Sequence, residues 1–87
     1  MRCTGSAIVE LNRAVAVAEA HGAAAALAIV EALAPSLDEY QYLHSSRAEI
    51  LRRLGRVAEA RVAYGRAIEL TSSEPERRFV GRRLADL

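Results

Sequence analysis

Four breakers, Gly22, Pro35, Gly55 and Pro75, cut the chain into segments long enough for helices and joined closely enough to leave room only for tight turns. Between them apolar residues recur every three or four positions, the period of a helix buried on one side. No stretch alternates as a strand would. With 87 residues there is material for one domain.

Five helices are expected, at about 6–20, 23–34, 37–54, 57–71 and 74–87, after a disordered N-terminal remnant at 1–5. Ser6 is a plausible N-cap for the first, and Ile8, Leu11, Val15 and Ala18 form its apolar stripe. Gly22 supplies a stop. Leu27, Val30 and Leu33 mark the second helix, which ends against Pro35.

Ser36 and Glu39 then spell a capping box for a third helix, with Tyr40, Leu43, Ile50, Leu51 and Leu54 facing inward. Gly55 is the next stop. Val57, Ala60, Tyr64, Ala67 and Ile68 share a face of the fourth helix. A second capping box, Ser73 to Glu76 with Pro75 in the first turn, opens the fifth, where Phe79, Val80, Leu84 and Leu87 are the apolar set. Connections this short make consecutive helices antiparallel. Gly65 and Gly81 fall inside helices, where glycine costs about 1 kcal/mol against alanine. Either a close helix crossing or an exposed, tolerant face explains them.

Composition excludes several classes. Hydrophobic residues at 52% and a net charge of +1 argue against disorder, and against nucleic acid or an acidic membrane as the main partner. No apolar run reaches the ~18 residues of a membrane helix, and no charged leader precedes an apolar run, so the expected compartment is the cytoplasm. A single cysteine, Cys3, cannot form an internal disulfide. All 12 basic residues are arginine, which GC-rich codon usage produces, although a rigid fork of donors also suits carboxylate partners.

No catalytic constellation can be assembled, so an enzyme is not expected, and neither a metal nor a cofactor. His21 and His44 lack metal-ligand spacing, and Gly55-Arg56 lacks a phosphate-loop pattern. His21 reads as a helix-end residue and His44 as a packed or groove-lining one. Glu49 with Arg53, and Arg66 with Glu69, sit at ion-pair spacing on a helix. Arg77, Arg78, Arg82 and Arg83 could meet phosphates. Glu74, Glu76 and Asp86 on the same helix, and the lack of aromatics placed to stack on bases, favour arginines that lie along a capping helix.

Gly22 and Gly55 stand 33 residues apart, and each separates a longer helix from an alanine-bearing one. In this register Val17 matches Ile50, Ala18 matches Leu51, Ala25 matches Ala58 and Ile29 matches Val62, whereas Ala14 falls opposite Arg47 and Val15 opposite Ala48. A helix pair of this length resembles a tetratricopeptide (TPR) repeat. Counting from Gln41, the second unit carries Gly55, Ala60, Tyr64 and Ala67 where such repeats have Gly, Ala, a bulky aromatic and Ala. His44 and Arg47 replace the usual Trp and Leu, Ala48 replaces Gly, and Ser72 replaces Pro. The expected architecture is all-α, a TPR-like solenoid of about two repeats with a capping helix.

A closer resemblance covers residues 6–87. SAIVELNRAVAVAEAHGAAAALAIVEAL, and then RAEILRRLGRVAEARVAYGRAIELTSSEPERRFVGRRLADL, resemble the C-terminal extension of a group of bacterial extracytoplasmic-function (ECF) sigma factors. There, two sigma regions that bind DNA and polymerase precede a helical domain ending in TPR-like repeats. Neither region fits in this chain, so the resemblance implies an excised C-terminal domain or a short reading frame. It further implies a regulatory, protein-contacting role in transcription initiation without promoter reading. The partner would be the sigma regions, RNA polymerase or a regulator.

By analogy with TPR grooves, the partner-binding residues would be Asn12, Glu19, Tyr42, Ser45, Glu49, Arg52 and Arg53. The same positions also read as ordinary surface. Two alternatives to the regulatory role remain: a self-associating module that buries its repeat ends in a homodimer, and, more remotely, a basic nucleic-acid-binding bundle.

Overall fold

The computed structural model describes the backbone of residues 4–87 and the side chains from Ala7 onward. Its elements, in chain order, are α1 (Thr4–His21), α2 (Ala23–Leu33), α3 (Gln41–Arg53), α4 (Val57–Leu70) and α5 (Glu74–Ala85), with no strand among the described residues. The expected all-α class is therefore what the chain adopts. The backbone is already helical at Thr4, so Ser6 lies within α1 rather than at its cap. Residues 1–3, including Cys3 and most of the expected N-terminal remnant, lie outside the described residues.

Each helix packs on its neighbours in sequence, most extensively α3 on α4 and α1 on α2, and α1 also meets α3. The molecule measures 34 × 28 × 18 Å. Since a helix with its side chains is about 10–12 Å across, the shortest dimension holds two layers. None of the helices is long and apolar enough to cross a membrane, among the described residues.

Alanine supplies much of the core. Ala7, Ala14, Ala18, Ala26, Ala48, Ala60, Ala63 and Ala67 are buried, which brings helix axes close but hides little area per residue. The large, fully buried side chains are Tyr64, Leu43, Leu51 and Val30. The apolar stripes are partly rotated from their expected positions. Val15, Leu54, Val57 and Phe79 are exposed, while Ala7, Ala14 and Ala48 take inward places instead.

The turns explain the boundaries. At Gly55 (φ 78°) the chain closes a Schellman motif, with Arg56 N–H donating to the Leu51 carbonyl at 2.9 Å and Gly55 N–H to that of Arg52 at 3.0 Å. Gly22 adopts φ 97° and ψ 160°, a region essentially reserved for glycine. Ser73 caps α5 by accepting from the Glu76 amide at 3.4 Å, with Pro75 in the first turn. The return half of that box is missing, because the Ser73 amide donates to Thr71 Oγ1 instead.

The third helix departs from expectation. It begins at Gln41 and not at residue 37, and residues 34–40 form successive turns. Leu37 drops into the core (3% exposed), and the buried His44 places Nε2 2.7 Å from the Asp38 carbonyl oxygen. Burying a leucine is worth roughly 1.5–3 kcal/mol, against about 1 kcal/mol for a cap, so the Ser36 box gives way. Gly65 and Gly81 mark no helix crossing, since a Cβ built on either meets nothing within 4 Å.

Candidate functional site

Glu49 faces away from the buried side of α3 and is met there by α4 and α5. Arg83 on α5 donates to it twice, Nε to Oε2 at 2.9 Å and Nη2 to Oε1 at 2.5 Å, and the Tyr64 hydroxyl donates to Oε2 at 2.5 Å. Burial pushes the Glu49 carboxyl up. The hydrogen bonds from Arg83 and Tyr64, with the charges of Arg83 and Arg52, outweigh it and hold the group below its ordinary range. Burial first, and then the Glu49 carboxylate, push the Tyr64 phenol up to about 12. Its bond to Glu49 and the neighbouring charge raise the Arg83 guanidinium above its usual value, although desolvation opposes this.

Two hollows flank Glu49. The larger, about 320 Å³, lies between α3 and α5 and is lined by Ser45, Ser46, Glu49, Phe79 and Arg83, with Tyr64 and Val80 at its floor. The smaller, about 180 Å³, lies between α1 and α3, against Val15, Ala18, Ser46, Glu49, Ile50 and Arg53. They share Ser46 and Glu49, so one groove crosses α1, α3 and α5 with α3 as its central ridge. Its walls mix exposed apolar groups with bound charges. Phe79 is 51% exposed, with the Arg83 guanidinium 6.0 Å from its ring centroid, and Arg53 is paired to Glu19 at 3.0 Å.

Of the expected site residues, Ser45, Glu49 and Arg53 line the groove, and Glu19 reaches it through Arg53. Tyr42, exposed and edge-on to Tyr40 at 5.4 Å, accepts a hydrogen bond at its carbonyl from Ser45 Oγ but does not line either hollow. Arg52 stays close enough to bias Glu49 without lining a hollow, and Asn12 is exposed apart from both. The expected Glu49–Arg53 pair does not form, because each side chain finds a partner on another helix. Arg66 and Glu69 do pair, at 3.4 Å.

Ser46, Phe79 and Arg83 are groove residues that the sequence reading missed. The 33-residue register carried a signal for two of them: extended once more, it sets Phe79 opposite Ser46 and Arg83 opposite Ile50. Ser46 and Ile50 look across to α1, as Phe79 and Arg83 look across to α3.

Comparison with known proteins adds one relative. The chain is 44% identical over 86 residues to a protein of Rhizobium meliloti (strain 1021) described as uncharacterized, a match that covers 99% of this chain and 20% of the relative. The chain thus spans about a fifth of that relative's length. Searches found no family model that matches and no matching solved structure.

Proposed function

We propose that this chain is a TPR-like helix-repeat module that docks another protein in the groove across α1, α3 and α5. Within that reading it serves as the regulatory C-terminal domain of an ECF-type sigma factor, without chemistry of its own. The observation that carries it is the pair of hollows joined at Ser46 and Glu49 on one face of the molecule. Interfaces concentrate their energy in such places, where a partially desolvated aromatic and arginines border an apolar depression.

The repeat reading has further support. In the 33-residue register Leu11 and His44, Ala18 and Leu51, Leu27 and Ala60, and Val30 and Ala63 are equivalent, and all eight are buried. α2 packs on both α1 and α3, and α4 on both α3 and α5, as following helices do in a stacked array. A relative about five times as long leaves ample chain for sigma regions.

The test is titration of this protein with the two sigma regions of an ECF factor carrying such an extension, followed by calorimetry. Binding that falls at least about tenfold in Ser46→Trp, which puts a bulky side chain at the position shared by the two hollows, is the expected result. Absence of binding, or binding indifferent to Ser46→Trp, overturns the groove as the docking site.

A further inference from the structure

The register that relates α3 to α5 also says what the far side of α5 is built to meet. On α3, Ser45 and Glu49 face the helix that follows in the groove layer, and Glu49 is answered there by Arg83. One period on, their places are taken by Arg78 and Arg82 on α5. Both are exposed, four residues apart on the side opposite buried Val80, and neither has a carboxylate within 4 Å among the described residues. The acid of the first pairing is thus replaced by arginine. Phe79, half exposed, stands at the edge between this face and the larger hollow.

Most other arginines on the described surface are taken. Arg13 pairs with Glu10, Arg47 with Glu31, Arg53 with Glu19, Arg56 with Glu59, Arg66 with Glu69 and Arg77 with Glu74. Arg77 matters most, because Glu74 is spent on it and not on Arg78 one residue away. Arg52 and Arg61 also lack a carboxylate partner among the described residues, but they sit on different helices, without a second arginine one turn away. Glu76, in the first turn of α5, and Asp86, at its C-cap, are the other acids of this helix, and neither lies within 4 Å of Arg78 or Arg82.

We infer that the outer face of α5 docks an acidic amphipathic helix of a partner protein. That helix would lie beside α5 much as α5 lies beside α3, with a carboxylate opposite Arg82, another within reach of Arg78 and an apolar side chain on Phe79. Arginine's planar fork suits paired carboxylates, and the aromatic supplies the apolar anchor that charge alone lacks. This rests on the helix-repeat reading above, but not on occupation of the groove.

The test uses the full chain and two fluorescein-labelled, alanine-based helical peptides. One carries leucines with two glutamates four residues apart, and the other carries glutamines in their place. The glutamate peptide is expected to bind at least about tenfold more tightly than its glutamine counterpart. R78E/R82E should reverse the preference and accept a peptide with arginine in place of glutamate. R78Q/R82Q should bind neither charged peptide well while retaining the circular dichroism of the parent.

Ser46→Trp separates the two readings. Glutamate-peptide binding that survives it but is lost in R78E/R82E belongs to α5, whatever becomes of the sigma-region titration. Equal affinity for the two peptides, or indifference to R78E/R82E, overturns the inference. So does duplex DNA that binds in preference to the peptide, with steep salt dependence, and loses that binding in R78E/R82E.

Discussion

Glu49 on α3 and Arg83 on α5, 34 residues apart in sequence, are joined by two hydrogen bonds that tie the last helix to the centre of the groove. α5 has need of the tie. Val80 is its one fully buried residue, and Leu84 is only partly covered.

Cutting that tie should loosen α5 before the rest of the molecule. Both side chains are about one-third exposed, at 31% and 35%, so solvent screens the pair. Arg83→Ala or Glu49→Gln should therefore cost about 1 kcal/mol, not the larger sums of a buried bridge. Amide hydrogen exchange should speed up in α5 and stay slow in α3. A double-mutant cycle in urea should show coupling, and strictly additive losses would make the pair a bystander.

Stability should fall at both ends of the pH scale, for reasons centred on the same three residues. The folded Glu49 carboxyl lies below its ordinary 4.5, so its contribution is present above that pH and is lost as pH falls through the lower folded value. The Tyr64 phenol is raised from 10 to about 12, so its contribution is complete below pH 10 and disappears as pH rises towards 12. The chain contains no lysine, which leaves the alkaline arm unusually clean. Ultraviolet titration of tyrosinate should show a phase near pH 12, and Tyr64→Phe should abolish it. A tyrosinate titration that Tyr64→Phe leaves unchanged near pH 12 would contradict the burial of this phenol and its hydrogen bond to Glu49.

The same change, glycine to alanine, should have opposite signs at different places. Gly22 and Gly55 have positive φ, where a Cβ is strained even though nothing crowds it, and alanine there should cost about 1–2 kcal/mol. Gly65 and Gly81 are helical with open space around the Cβ position, and alanine there should stabilise by about 0.5–1 kcal/mol each. Thermal unfolding of the four variants distinguishes these signs directly. Destabilisation by Gly65→Ala would reveal a packing role that the open space around it does not suggest.

The glycine stops, the Ser73 cap and five helices were legible because each depends on residues close in sequence. The start of α3 was not. It depends on Leu37 reaching the core and His44 meeting a carbonyl six residues back, both settled by tertiary packing. Phe79 looked like core because it precedes Val80 in an apolar run, yet adjacent side chains on a helix point about 100° apart, so Val80 is buried while Phe79 stays half exposed at the edge of the same hollow. In the groove, Ser45, Glu49 and Arg53 were reached by analogy with TPR grooves, in which the leading helix of each repeat lines the inner face. Ser46 and Arg83 required knowing that α1 and α5 flank α3, which the repeat register hints at and helical periodicity does not contain.

Reversing charge at the groove rim should separate docking from folding. Arg52→Glu with Arg53→Glu places new carboxylates near Glu49 and Glu19, on a helix whose buried face is untouched. The Arg53–Glu19 pair is exposed on both sides, at 52% and 68%, so its loss contributes little to stability. Unfolding should shift by no more than about 1 kcal/mol, while affinity for the sigma regions should drop at least about tenfold. Arg53→Glu combined with Glu19→Arg then restores an ion pair in reversed orientation. If affinity returns with it, the pair acts by holding the wall of the smaller hollow in shape. If affinity stays low, the partner reads the positive charge of Arg53 itself. Unchanged binding in Arg52→Glu/Arg53→Glu would place the docking surface away from this rim.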